Sequence, residues 1–185
     1  ELLNTLSVHW REFKEHVVLS DKQLQQHRDS FKKKHIAKVE EIRQLQTDMY
    51  NQFMMEEPFK STHGFKAAYE ILDRYDERVR QLRSLEDSLK PGCDLFKLDP
   101  PVYKEISTVK TDIGLLRQIW QLYDEWDNMW TTWSNQPFKK LEVANMEGAA
   151  IAQGKLVANL GLKTWDVAQV LTQRITQFKK TMPLI

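Results

Sequence analysis

The sequence predicts an all-α fold, an elongated antiparallel bundle of three long helices followed by two shorter ones. Three observations carry that prediction. Breakers are scarce, with 6 Gly and 6 Pro in 185 residues, too few for a fold made of many strands and tight turns. Residues 4 to 55 contain neither Gly nor Pro. Apolar residues then recur at steps of three and four along three separate stretches, the period of a helix face.

The first stretch sets Leu6, Trp10, Phe13 and Val17 on one face, continues through Leu24 and Phe31, and resumes at Val39, Ile42, Leu45, Met49 and Phe53. The step from Phe31 to Val39 is eight rather than seven, a slip that local bending of a long helix absorbs. Ser20-Asp21 is also a possible cap, so one long helix and two collinear ones both fit. A continuous helix of about 50 residues would reach about 75 Å. Pro58-Phe59-Lys60-Ser61-Thr62-His63-Gly64 forms the connection. A second helix over about 64–90 follows, with the seam Phe65, Ala68, Leu72, Tyr75, Val79, Leu82, Glu86 and Leu89. Adjacent Leu85 is available in place of Glu86, and Pro91-Gly92 is the expected stop.

Asp99-Pro100-Pro101 opens the third helix with an acidic cap and first-turn proline. Its stripe is Val102, Ile106, Val109, Ile113, Leu116, Trp120 and Tyr123, running into Trp126, Trp130 and Trp133 before Asn135-Gln136-Pro137 ends it. Short connections make consecutive helices antiparallel neighbours, so residues 1–136 are expected to bury three stripes together in a spectrin-repeat-like bundle. Residues 137–185 form the second region. Its helix over 138–160 carries Met146, Ala149, Ala150 and Leu156 for close packing and stops at Gly161. Thr164 then caps a last helix bearing Val167, Leu171, Ile175 and Phe178.

The charge balance, 27 Lys+Arg against 26 Asp+Glu, supplies no basic field for nucleic acid. No apolar run approaches the roughly 20 residues needed to cross a bilayer, so no membrane partner is expected. One cysteine, Cys93, excludes an internal disulfide and points to a reducing compartment. Both ends, Glu1-Leu2-Leu3-Asn4 and Met182-Pro183-Leu184-Ile185, read as cuts through a longer polypeptide.

Catalytic and cofactor chemistry finds no foothold. His9, His16, His27, His35 and His63 are spaced 7, 11, 8 and 28 apart, whereas metal ligands on one helix face need three or four. Gly148-Ala149-Ala150-Ile151-Ala152-Gln153-Gly154-Lys155 echoes a phosphate loop. It has one residue too many between its glycines, Leu156 where Ser or Thr belongs, and no strand before it. A small-residue helix face is the preferred reading. Cys93 and the serines pair with no base in a recognisable motif. Lys32-Lys33-Lys34-His35 and Lys179-Lys180 read as solvated faces, since carboxylates are interspersed nearby. No catalytic residue, cofactor or metal is therefore expected.

The tryptophans stand apart. Four of the six, Trp120, Trp126, Trp130 and Trp133, crowd one helix, and the last three share a face. A drifting core stripe accounts for them, and so does a docking surface, since Trp is enriched at interface anchors. Both hold if some rings turn inward and others outward.

Leu122-Tyr123-Asp124-Glu125-Trp126 with Trp130 and Trp133, then Lys163-Thr164-Trp165-Asp166, then Arg174-Ile175-Thr176-Gln177-Phe178 through Pro183-Leu184-Ile185, resemble the dynein heavy chain family over about residues 115–185. Residues 1–114 carry no motif of that family. The resemblance implies the end of the helical tail, just before the linker domain, with the axonemal branch favoured over the cytoplasmic. It implies a non-catalytic segment that anchors the linker and transmits force in an ATP-driven microtubule motor whose ring lies elsewhere. Trp126, Trp130, Trp133, Trp165, Ile175 and Phe178 become candidate interface residues. The implied partners are other dynein heavy, intermediate or light chains or neighbouring tail bundles. The implied location is the cytoplasm and cytoskeleton, in the axoneme of a cilium or flagellum. A spectrin- or plakin-like repeat of a cytoskeletal crosslinker is the alternative, told apart by a second repeat of the same pattern.

Overall fold

The computed structural model describes residues 2–99, 104–137, 139 and 142–182. Five α-helices and no strand occur among them: α1 (Leu2–Glu56), α2 (Gly64–Phe96), α3 (Lys104–Ser134), α4 (Val143–Leu160) and α5 (Asp166–Thr181). A 3-10 turn, Ser61–His63, sits in the connection between α1 and α2. The helix α1 runs unbroken through Ser20-Asp21, so the single-helix alternative holds. The opening of the third helix at Pro100-Pro101, its first stripe residue Val102, and Pro183 all fall outside the described residues.

The chain forms two compact units, one of residues 1–45 with 84–102 and the other of residues 46–83 with 103–185. In the second unit the antiparallel order of the long helices is written in their polar contacts. Glu56 accepts from Arg74 and Tyr75, and Gln52 from Arg78, which sets the end of α1 against the start of α2. Lys110 donates to Asp76 and Arg117 to Asp73, each at 2.6 Å, which sets α2 against α3. The Lys110 ammonium holds the Asp76 carboxyl below its ordinary pKa, while burial and the Glu56 carboxylate push the Tyr75 hydroxyl up to about 12. These contacts border a core of Met49 and Phe53 from α1, Leu72, Tyr75 and Val79 from α2, and Val109, Leu116 and Trp120 from α3. Helices α4 and α5 join the same core through Met146, Ala150, Val157, Leu171 and Ile175.

In the first unit, α2 passes straight through its expected stop. Pro91 lies inside the helix, which continues to Phe96. An interior proline costs about 3 kcal/mol in lost hydrogen bonding and steric clash. Packing after it outweighs that cost. Cys93 is fully buried with its Sγ 3.4 Å from His35 Nε2, and the Phe96 ring lies 5.9 Å from the imidazole. Gly92 is what admits the imidazole, since a Cβ there would lie 2.2 Å from His35 Cε1. The helix ends instead at Lys97, a non-glycine residue at φ 52°, with Leu98 N–H closing onto Cys93 O at 2.9 Å.

Several stripe residues prove to be exposed. On α1, Leu6, Trp10, Phe13, Val17, Leu24, Phe31 and Leu45 face solvent, and only Ile42, Met49 and Phe53 are buried, with Val39 half-buried. Burial on α1 begins around His35, which is also where the end of α2 comes to lie. Leu85 is exposed as well and does not replace the half-buried Glu86, because the seam keeps its register from Leu82 to Leu89.

Candidate interface at the α3–α5 end

Helix α3 is built to carry rings. Its buried positions Ile106, Val109, Ile113, Leu116, Ile119, Trp120, Tyr123 and Trp126 follow the helical period and end where the stripe emerges from the core. Trp120 is fully buried, and its indole N–H donates to Pro58 O at 2.8 Å, the satisfaction a buried indole requires. That bond reaches the α1–α2 connection, which is fastened at two more points. Val167 N–H donates to Phe59 O at 2.9 Å, and the Ser61 N–H and Oγ both donate to Asp166 Oδ2 at 2.7 Å. The two Ser61 donors hold the Asp166 carboxyl below its ordinary pKa.

These contacts correct one reading of the last helix. Its N-cap is Trp165 rather than Thr164, with no side-chain cap. Asp166, free of a capping duty, accepts from Ser61 across the fold and places a carboxylate in the first turn, where the helix dipole favours it. Trp165 is half-buried against the core, and its carbonyl accepts from Ala168 and Gln169.

At the other end of α5, Phe178 is enclosed by three rings of α3. Trp133 stacks on it at 5.2 Å and 11°, while Trp126 and Trp130 meet it edge-on at 5.4 and 5.9 Å. Offset-stacked and edge-to-face contacts are the arrangements aromatic quadrupoles favour. Phe178 is 6% exposed and Trp126 3%, whereas Trp130 is 51% exposed and Trp133 half-buried. Asp127 and Arg174 pair at 2.7 Å beside them, with the guanidinium 4.9 Å from the centre of the Tyr123 ring. Burial raises the Tyr123 hydroxyl pKa against the opposing pull of Arg174. Trp126, Trp130, Phe178, the Asp127–Arg174 pair and Thr181 line an open groove of about 600 Å³. Ile175 is buried one turn deeper, where it touches α4: a Cβ at Gly154 would meet its Cγ2 at 3.6 Å.

Of the six candidate interface residues, Trp126, Trp130, Trp133 and Phe178 converge on one cluster. Ile175 lies beneath it in the core, and Trp165 sits at the opposite end of α5. The cluster offers an aromatic face with an ion pair at its edge.

Comparison with known proteins bears on the same region. Residues 106–185, the start of α3 onward, match the family described as dynein heavy chain, N-terminal region 2. The whole chain aligns with dynein axonemal heavy chain 2 of Mus musculus at 26% identity and with that of Homo sapiens at 25%. It aligns at 28%, also over its full length, with the dynein-1-beta heavy chain of the flagellar inner arm I1 complex of Chlamydomonas reinhardtii.

The chain is similar to dynein heavy chains along its whole length.

It spans only 4% of the length of each of these heavy chains, and the family match is to their N-terminal region 2. No solved structure matches it. The alignment includes residues 1–114 as well, where no family motif was legible. In its echo of a phosphate loop, residues 148–155 lie wholly within α4. Met146, Ala150, Gln153 and Val157 form the buried face of that helix, while Leu156, expected to pack, is exposed. Gln153 is the polar member, donating to Leu122 O at 2.9 Å. No group of three or more metal-ligating side chains occurs among the described residues, and no described helix is long and apolar enough to cross a membrane.

The Ser61–Asp166 and Trp120–Pro58 contacts went unread in the sequence. Partners separated by 105 and 62 positions leave no local spacing to detect.

Proposed function

We propose that this segment is a non-catalytic part of an axonemal dynein heavy chain tail. In this reading it anchors the linker and carries force between the ATP-driven ring and the rest of the tail. The supporting observation is the mounting of α5. One end is tied to the α1–α2 connection through Ser61–Asp166 and Phe59–Val167, and the other is gripped at Phe178 by three tryptophans. A helix held at both ends passes on displacement with little bending, and α5 has neither Gly nor Pro inside it to yield.

The aromatic groove is the docking point in this reading, with Trp130 as the exposed anchor. Its occupant is another heavy, intermediate or light chain or a neighbouring tail bundle of an axonemal dynein in a cilium or flagellum. The split into a three-helix region, 1–136, and a region leading into the linker, 137–185, belongs to the same proposal.

The test is uncoupling. In a full-length motor carrying Ile175→Ser with Phe178→Ser, ATP turnover should persist while microtubule gliding slows or stops. Trp130→Ala, which spares the buried rings, should weaken assembly while lowering the melting temperature by under about 4 °C. Normal gliding in the double variant, or loss of both activities from a folded motor, would refute force transmission.

A further inference from the structure

The front of α1 carries an apolar face on which no described residue rests. Leu6, Trp10, Phe13, Val17, Leu24 and Phe31 are all exposed, Leu24 by 67% and Phe31 by 62%. The tryptophan and Phe13 stack only on each other, at 5.8 Å, and Lys14 covers the indole at 5.3 Å. These six residues, with Ser20 and His27 filling the two gaps, follow alternating steps of four and three over 25 positions. That is the seam of a coiled coil, so the surface that fits it is another helix.

The flanks of the seam describe that helix further. Positions bordering the seam hold Lys14, Asp21 and Arg28 on one side and His9, His16, Gln23 and Ser30 on the other. Two of the three fully charged flanking groups are cations, and Lys32-Lys33-Lys34 follows directly. The carboxylates Glu15 and Asp29 fall on the side of the helix away from the seam, while Glu12 reaches His9 on one flank at 3.4 Å. Flanking charges set partner choice in coiled coils.

We propose that residues 6–31 of α1 are a docking surface for an amphipathic helix of a partner polypeptide, one whose apolar seam is bordered by Asp and Glu. The site is separate from the aromatic groove and does not depend on its role. Charge decides the occupant. A second copy of this chain would bring the same mostly cationic flanks to the contact, whereas carboxylate flanks meet Lys14 and Arg28 with opposite charge.

The experiment uses the 185-residue chain and two synthetic 28-residue helical peptides with Leu at every seam position. One carries Glu at all flanking positions and the other Lys. Calorimetric titration at low salt should show the Glu peptide binding about fivefold more tightly than the Lys peptide, with the preference shrinking as salt rises. Phe13→Ser with Leu24→Ser should abolish binding. Both side chains are exposed, so circular dichroism should show the helix content unchanged. The decisive variant is Lys14→Glu with Arg28→Glu, which should reverse the preference toward the Lys peptide. Equal binding of both peptides, an unreversed preference, or no binding by either overturns the proposal. Association of the chain with itself through the seam in sedimentation, or binding of anionic phosphatidylserine vesicles with neither peptide bound, overturns it in favour of a second copy or a lipid surface.

Discussion

Removing the Phe178 ring while leaving its tryptophan neighbours in place tests the geometry of the cluster directly. Phe178→Ala deletes a side chain that is 6% exposed and in contact with Trp126, Trp130 and Trp133. Truncating a buried Phe costs about 3–5 kcal/mol, part transfer and part cavity. The upper half of that range applies here, because three large rings cannot all collapse into one void. Against a total stability of about 5–15 kcal/mol the loss is large. For a chain of this size each kcal/mol moves the melting temperature by about 2–4 °C, so a fall of about 12 °C is expected. Trp130→Ala is the matched control. Its indole is larger but 51% exposed, and it touches Phe178 only edge-on. Its cost should be about 1 kcal/mol, under about 4 °C. Five of the six tryptophans belong to the unit made of residues 46–83 and 103–185, so tryptophan fluorescence follows that unit and far-ultraviolet circular dichroism follows the whole chain. Equal shifts for the two variants, or a larger one for Trp130→Ala, would refute this account of the cluster.

Further expectations follow from single positions. Leu82→Asp should unfold the unit that contains it, since an unpaired buried charge costs several kcal/mol, while Arg83→Asp on the exposed face should stay within about 0.5 kcal/mol. Equal urea midpoints would show the register to be wrong. Asp166 has a folded-state pKa below its unfolded one, so its contribution is present above the ordinary carboxylate pKa and is lost as pH falls through the lowered value. Asp166→Asn should therefore cost about 1 kcal/mol at pH 7 and progressively less toward acid, and parallel stability–pH curves for the two proteins would contradict this. Gln46 is 1% exposed, with neither amide atom hydrogen-bonded among the described residues. Gln46→Leu should raise stability by about 1–2 kcal/mol, and a lower urea midpoint would mean that the amide has a partner.

The sequence by itself determined the helices and which face of each is apolar, because a 3.6-residue period and the scarcity of breakers are local properties. The seams of α2 and α3 from Ala68 to Leu82 and from Ile106 to Trp126 were legible except for buried Ile119, and Gly161, in the left-handed conformation at φ 68°, closes α4 as its identity indicates. The end of α2 was hidden because Lys97 takes a left-handed conformation without being glycine. Which apolar residues find a partner was decided only in the tertiary structure. Trp10 and Trp126 look alike in their stripes, but burial needs a second element at the same height, and α2 ends beside His35. Pro91 illustrates the same hierarchy, a breaker overruled by the buried thiol and the glycine that follow it. The convergence of Trp126, Trp130 and Trp133 was readable from their spacing, whereas their enclosure of Phe178, 45 to 52 positions away, required α5 to run alongside α3. Local spacing sets what a helix offers, and only the packing of distant segments settles what meets it.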